Sequence, residues 1–569
     1  MLNTTTTGKY HPFPPIPLAT RRWPDHHLTQ APRWCSVDLR DGNQALATPM
    51  SRPRKMAMLR MLVAIGFREI EAGFPAAAQD EFDFIRQLAQ HPPESTTIQV
   101  LTPARQEHIA RTFAALRGIP RAVVHFYLST SPLQRQVVFG VDEKTLIDRA
   151  IAAASTIRTL AEHQRDTDWG FEFTPESFSA TEPEFALAIC EAVMDVWEPT
   201  PQRPIILNLP ATVEVATPNR YADQIEWFDR HVSRRDAVVL SIHPHNDRGC
   251  GVAAAELALL AGADRVEGAL FGNGERTGNL DLVTLALNLH SQGIVTGLDF
   301  SDLPAIAACY RECTGQEIPT RQPYAGELVF TAFSGSHQDA IRKGIAALRP
   351  GDPWQVPYLP IDPRDIGRDL SGIIRVNSQS GKAGAAFLLA QKSGLTLPRW
   401  LEPEFARIVQ TATEQSGGEL SALEIAHLFD QTLRQPAGAV TLTGYHLTHA
   451  ATCQIALRIE VDGIVWDLQG QGNGPIDAAS QALAGPWQLE RYEERALESG
   501  SHARAIAFVT LGTSDPCGGL SGVGIDADIV AASLRALVAA INRHLLACNP
   551  ADRQAILASW QKGDRSGIT

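Results

Sequence analysis

From Arg33 to about Gly297, short runs rich in β-branched and aromatic residues alternate with longer stretches of helical periodicity. A run too short for a helix and bounded by Gly, Pro or polar residues reads as a buried strand. Strands separated by helical stretches read as parallel. Eight such runs are present: Trp34–Leu39, Glu69–Phe74, Thr97–Leu101, Ala122–Tyr127, Trp169–Phe173, Ile205–Leu209, Ala237–Ile242 and Arg265–Phe271. Almost every one ends in polar, Gly or Pro residues, among them Arg40-Asp41-Gly42-Asn43, Thr174-Pro175-Glu176 and His243-Pro244-His245. Eight strands with chemistry after their carboxyl ends predict a (β/α)8 TIM barrel, whose loops on that face build the active site. An open doubly wound sheet gathers its ligands at one switch point, which fits this spread of polar groups poorly.

Beyond the barrel the pattern changes. Residues from Asp302 to about Leu433 predict a mainly helical stretch with two polar clusters, Ser334 to His337 and Arg375 to Lys382, followed by a linker at Arg434 to Gly438. Two strand-like runs, Cys453–Glu460 and Ile464–Gln469, then flank Val461-Asp462-Gly463, a good hairpin turn. Gly472-Asn473-Gly474 leads into a helix, and Gly522-Val523-Gly524 leads into a second Ala-rich one. This predicts an α+β domain made of a twofold repeat. The expected division is an N-terminal extension at 1–32, the barrel at 33–325, helical linker subdomains at 326–433, the α+β domain at 439–549 and a tail at 550–569.

Bulk properties narrow the class. The 569 residues exceed what one hydrophobic core holds, about 250 to 300 residues. The net charge of -13 argues against broad attraction to nucleic acid or to anionic membrane, while leaving room for a local basic pocket. The first ten residues are polar, and no run reaches the roughly 20 apolar residues of a membrane span, so a cytoplasmic protein is expected. Eight cysteines are scattered without a CxxC pair, which predicts reduced thiols rather than a disulfide framework or a thiolate zinc site.

The chemistry concentrates at His243-Pro244-His245-Asn246-Asp247. Two imidazoles two positions apart on a strand end point to the same side and suit a divalent cation. Asp41 follows the first strand, and Asn279 lies in the loop after the eighth. Strands one and eight become neighbours when a barrel closes. Asp41, His243, His245 and Asn279 then form a mixed N/O set with room for substrate, which admits Mg, Mn, Zn or Co. Arg40, beside Asp41, is either a surface charge or an electrophile placed to stabilise a developing enolate oxygen, and its position at the barrel mouth favours the second. Gly272-Asn273-Gly274-Glu275-Arg276-Thr277-Gly278-Asn279 lacks the spacing of a dinucleotide fingerprint.

Asp38 to Gln44, His243 to Gly249, Gly272 to Asn279 and Arg375 to Lys382 together resemble the 2-isopropylmalate synthase family, within the wider group of acyl-CoA-condensing barrels. The resemblance spans nearly the whole chain. It implies the first committed step of leucine biosynthesis, in which acetyl-CoA and 2-oxoisovalerate give 2-isopropylmalate and CoA. It implies that Asp41, His243, His245 and Asn279 bind a divalent metal that holds the 2-oxo acid, and that Arg40 polarises the keto group. His125, Asn208, Thr212 and Glu176 would line the substrate pocket, with Thr212 facing the oxo acid carboxylate. His337 would reach in from the partner subunit of a homodimer, and either His337 or Glu176 would be the base. The end domain would bind leucine as a feedback inhibitor, with the Gly-x-Gly turns at Gly472 and Gly522 as its marks. Leu128 and Leu370 replace a usual Asn and a usual Tyr, which leaves open a different 2-oxo acid as acceptor. A degenerate amino-acid sensor is the alternative outside catalysis; retention of Arg40, Asp41, Glu176, His243, His245 and Asn279 speaks against it.

Overall fold

The structure, a computed structural model, describes residues 11–369, 382–416, 419–449, 452–498, 500, 502–513 and 520–563. Of these, 11–330 and 360–369 form one unit, and 331–359 with the described residues from 382 onward form another. The Arg375 to Gly381 part of the second polar cluster, and Leu370, lie outside the described residues.

In the first unit β1 (Arg33–Ser36), β2 (Glu69–Gly73), β3 (Thr97–Pro103), β4 (Arg121–Ser129), β5 (Asp168–Glu176), β6 (Ile205–Ala211), β7 (Val238–Pro244) and β8 (Arg265–Gly268) close a parallel barrel in chain order. Closure runs through β1 and β8, with Cys35 opposite Glu267 and Ser36 opposite Gly268. Helices α1 (Arg52–Ile65), α2 (Gln79–Leu88), α3 (Gln106–Leu116), α4 (Glu143–His163), α5 (Pro183–Trp197), α6 (Pro218–His231), α7 (Gly251–Leu260) and α8 (Leu282–Ser291) follow the strands, and α9 (Leu303–Thr314) packs on α1. All eight predicted strands are present, but the first, second and eighth are shorter. The first ends at Ser36, and Asp38–Gly42 forms a wide helical turn. Asp38 causes the break: its carboxylate accepts from the Ser36 hydroxyl at 2.8 Å and from the Leu270 N–H at 3.1 Å. That bond ties the turn to the loop after β8, which leaves the strand at Gly268 when Ala269 donates its N–H to Leu280.

The second unit contains α10 (Gly335–Ala347), α11 (Lys382–Ser393), α12 (Glu402–Ser416) and α13 (Ala422–Phe429), the expected helical stretch. Then β9 (Val440–His449), β10 (Cys453–Val461) and β11 (Ile464–Gly472) make an antiparallel sheet followed by α14 (Pro475–Ala482). The pattern repeats in β12 (Trp487–Ala496), β13 (Ala505–Thr513) and β14 (Leu520–Asp526) followed by α15 (Ile529–Ala547), with α16 (Pro550–Gly563) last. The predicted hairpin turn falls between β10 and β11, where Asp462 and Gly463 both take positive φ. Ile455, Leu457 and Ile459 of one repeat share a core with Val509, Leu537 and Ile541 of the other.

The glycines that mark the repeat are not the pair the sequence suggests. A Cβ on Gly470 would lie 2.0 Å from the Ala478 carbonyl oxygen and 2.8 Å from the Ala482 nitrogen. One on Gly524 would lie 2.0 Å from the Ala532 oxygen and 2.6 Å from the Ala536 nitrogen. Ala478 and Ala532 are each the fourth residue of their helix, so Gly470 and Gly524 are the structural equivalents, each letting a helix backbone touch its sheet. Gly474 instead precedes α14 in open space. Among the described residues α15 alone is long and apolar enough to cross a membrane. It is a core helix here, with 61% of its apolar window buried. The seven described cysteines are free, and Cys517 lies outside the described residues.

Candidate active site

Each strand of a barrel sends alternate side chains inward, and here the inward positions near the carboxyl ends are polar. At the mouth, Asp41 comes from the turn after β1, His243 and His245 from the end of β7, and Asn279 from the loop after β8. His243 Nε2 lies 3.1 Å from Asp41 Oδ2 and 3.0 Å from Asn279 Oδ1, and His245 Nε2 lies 3.9 Å from Asp41 Oδ2. The two imidazole rings stack with centroids 5.3 Å apart. All four predicted ligands are buried and meet at one point. Asn279 is held by its amide, which donates to the Asn273 carbonyl at 2.9 Å. Gly278, at φ 105°, permits this turn, because a Cβ there would sit 2.0 Å from the Gly272 oxygen.

These donors fit a divalent cation on electrostatic grounds. The Nδ1 of His243 faces Glu267 Oε2 at 2.8 Å and so carries a proton. Its Nε2 then faces two oxygen acceptors, an arrangement that is repulsive unless a proton or a metal ion lies among them. Without an ion, burial alone would lower the His243 pKa, but the bonds to Asp41 and Glu267 outweigh it and push the imidazole up to about 10. Burial and the neighbouring His243 push His245 down to about 4. Burial would raise the Asp41 carboxyl, but Arg40 and the two histidines hold it well below the usual carboxylate range. A set of two imidazoles, one carboxylate and one amide oxygen suits a Lewis-acid metal.

Arg40 extends over the same mouth, its Nε 2.5 Å from Glu71 Oε2 and its Nη1 3.1 Å from Asp41 Oδ1. Glu71 Oε1 continues to His125 Nδ1 at 2.7 Å, and His125 Nε2 meets the Thr174 hydroxyl at 2.7 Å. The cavity above encloses about 200 Å³ and is lined by Arg40, Asp41, His125, Glu176, Asn208, Thr212, His243 and His245 of the predicted residues. Phe74, Leu101 and Pro210 supply its apolar wall. Glu176, the last residue of β5, accepts from the Ser129 hydroxyl. Thr212 Oγ1 accepts from the Ser177 N–H at 2.9 Å, so its own hydroxyl proton remains available to a ligand. His337 lies in the second unit on α10, its ring stacked on Tyr358 at 4.0 Å.

Several functional groups escaped the sequence reading. Below the mouth, Gln99, Glu172, Arg265 and Glu267 are buried in a polar core with Glu69 and Glu71. Arg265 donates to Glu69 Oε2 at 2.7 Å, Glu267 Oε1 at 2.9 Å, Gln99 Oε1 at 2.8 Å and Ser241 Oγ at 2.8 Å. Burial, reinforced by Glu267, pushes the Glu172 carboxyl well up. His125, Glu172 and Glu267 also have the spacing of a cation site, but the Arg265 guanidinium already lies 2.9 Å from one carboxylate and 3.5 Å from the other. The available signal was the spacing: Glu69/Glu71, Glu172/Thr174 and Arg265/Glu267 are polar pairs two apart inside apolar strands.

Residues 31–309 match the HMGL-like family model, residues 327–390 the alpha-isopropylmalate synthase post-catalytic domain-like model, and residues 419–545 the LeuA allosteric (dimerisation) domain. The chain is 52% identical over 551 residues to 2-isopropylmalate synthase of Ralstonia pickettii, covering 95% of this chain and 96% of that one. The chain belongs to the 2-isopropylmalate synthase family. It is likewise 53% identical over 543 residues to the synthase of Ralstonia nicotianae, covering 94% of each chain. To the synthase of Parafrankia sp. it is 53% identical over 549 residues, covering 94% of this chain and 97% of that one. Both the barrel and the end domain therefore belong to the family's architecture.

Proposed function

We propose that the chain condenses the acetyl group of acetyl-CoA with 2-oxoisovalerate, giving 2-isopropylmalate and CoA, as a homodimer inhibited by leucine through the end domain. The observation that carries the reading is one cavity in which a metal-type donor set, the half-buried Arg40 and the Glu176 carboxylate converge. A divalent ion held by Asp41, His243, His245 and Asn279 supplies Lewis acidity toward the keto oxygen of the 2-oxo acid.

The protein's own groups account for the remaining steps. The thioester methyl is weakly acidic, so its proton must pass to a positioned base as enolate charge develops. Glu176 lines the cavity and serves as that base in this reading, with the Ser129 hydroxyl orienting its carboxylate. His337 is the other candidate. Arg40, fixed by Glu71, is placed to hold negative charge on the acceptor oxygen after the new carbon–carbon bond forms. Thr212 offers its hydroxyl to the carboxylate of the oxo acid. Hydrolysis of the resulting thioester releases CoA and draws the sequence forward. The apolar wall of Phe74, Leu101 and Pro210 in a cavity of about 200 Å³ favours a short branched side chain on the acceptor.

CoA thiol release from a panel of 2-oxo acids tests the acceptor. 2-Oxoisovalerate is expected to give the highest kcat/KM. A preference of about tenfold or more for a longer or aromatic acid, well within what a pocket can impose, would overturn it. The same assay with leucine added should show inhibition in the full chain. Glu176→Gln and His337→Ala, compared by kcat, separate the two candidate bases.

A further inference from the structure

We propose that Glu267 is a positioning residue that makes His243 the preset anchor of the metal site, leaving His245 as the adjustable ligand. The carboxylate of Glu267 is fully buried in β8 and is satisfied from four strands. Its Oε2 accepts from His243 Nδ1 at 2.8 Å and from Asn208 Nδ2 at 3.1 Å. Its Oε1 accepts from Arg265 Nη1 at 2.9 Å and from Gln99 Nε2 at 2.9 Å. An ionised carboxylate offers about four lone-pair positions, so this one is saturated, and any rotation would orphan a buried donor. Glu267 therefore cannot turn away, and the proton of His243 is held on Nδ1. The Nε2 lone pair is consequently aimed at the point shared with Asp41 and Asn279 before any ion arrives.

His245 differs. Its Nδ1 is buried and has no hydrogen-bond partner among the described residues, so no described side chain or backbone group on the far side of the ring fixes its orientation or tautomer. A metal-bound imidazole usually has such an outer partner, and loss of that partner weakens metal binding by about 10- to 100-fold. The two imidazoles of the motif are thus unequal, a difference their sequence does not reveal. Asn208 contributes through the same carboxylate: its amide nitrogen is shared between Glu267 and Thr174, while its Oδ1 has no partner among the described residues.

The inference rests on Asp41, His243, His245 and Asn279 being the metal set, and the test separates the two readings. In Glu267→Gln the guanidinium of Arg265 keeps the new carbonyl oxygen, which turns the amide NH2 toward His243. The imidazole must then accept at Nδ1 and carry its proton on Nε2, the nitrogen needed for the metal. Divalent-ion affinity, measured by competition with a chromophoric chelator, is expected to fall by about 10- to 100-fold. The visible spectrum of the cobalt-loaded variant should change as His243 is displaced. Metal affinity within about twofold of wild type and an unchanged cobalt spectrum would overturn the proposal, since a lost outer partner costs more than that. Retained affinity in His243→Ala would instead overturn the metal set itself. If Glu267→Gln fails to fold, the zinc-loaded wild type decides by NMR of its labelled histidines. His243 should show a slowly exchanging Nδ1–H and His245 a fast one; equal exchange at the two rings refutes the inequality.

Discussion

Replacing Arg265 by Met tests whether the barrel interior is held by balanced charge rather than by shape. The guanidinium is fully buried and meets Glu69 at 2.7 Å, Glu267 at 2.9 Å and Glu172 at 3.5 Å. Methionine approximates the stem and removes the charge, so the carboxylates stay buried without their shared cation. Removing one partner of a buried ion pair costs about 3–5 kcal/mol. For a domain of this size each kcal/mol moves the unfolding midpoint by about 2–4 °C, so the barrel transition should drop on the order of 10 °C. The pH dependence should also reverse. In the wild type, burial opposes ionisation of Glu69 and Glu267, but Arg265 holds both below the ordinary glutamate range. A depressed folded pKa stabilises above the unfolded value, near 4.3, and that contribution is lost as pH falls. In the variant, burial acts unopposed by Arg265, folded pKa values rise, and stability is lost as pH rises. Scanning calorimetry of the full chain at pH 5 and pH 8, values on either side of neutrality chosen for this contrast, should show the larger loss at the higher pH. A midpoint drop below about 2 °C, or an equal drop at both pH values, would refute the reasoning.

Burial pushes the Asp38 carboxyl up to about 7, against the lowering effect of its bonds to Ser36 and Leu270. A folded pKa above the unfolded value, about 3.9, means that this group costs the wild-type barrel stability as pH rises from there to about 7. Asp38→Asn should flatten that part of the midpoint-versus-pH curve; an unchanged slope counts against it. Asp41→Asn, which removes the only ionised ligand, should lower metal content measured by elemental analysis, with affinity falling by more than about 100-fold. Gly524→Val places a side chain against the Ala532 oxygen and the Ala536 nitrogen. It should destabilise the end domain by about 1–3 kcal/mol or more while the barrel transition stays put, as two calorimetric peaks would show.

The barrel was legible because its strands are apolar runs of strand length separated by helical stretches, a pattern that survives tertiary packing. Strand ends were less so. Asp38 reads as strand until its carboxylate is seen to bind the backbone of Leu270, a contact across most of the barrel sequence. The four predicted ligands were legible because each lies at or just after the carboxyl end of a strand. Their support was not, since Gln99 comes from β3 and Arg265 and Glu267 from β8, and only folding of the barrel brings them together. In the end domain the repeat was visible in composition, but its register depended on which glycine faces the carbonyl of the fourth helix residue, and Gly472, which also lies against α14, was equally available in the sequence.

Charge explains why a barrel of this kind carries so polar an interior. Asp41, Glu69, Glu71, Glu172 and Glu267 supply five carboxyl groups, and Arg33, Arg40 and Arg265 are the guanidinium groups that meet them. The excess is two negative charges. Buried charge is costly unless compensated, so without an ion the protein meets the excess with protons, and the raised values at Glu172 and His243 mark where these sit. Asp41, His243, His245 and Asn279 would hold a divalent ion, which would supply the missing positive charge in place of protons. The same carboxylates that orient the predicted ligands therefore set the charge the site demands, and metal binding there would be coupled to proton release.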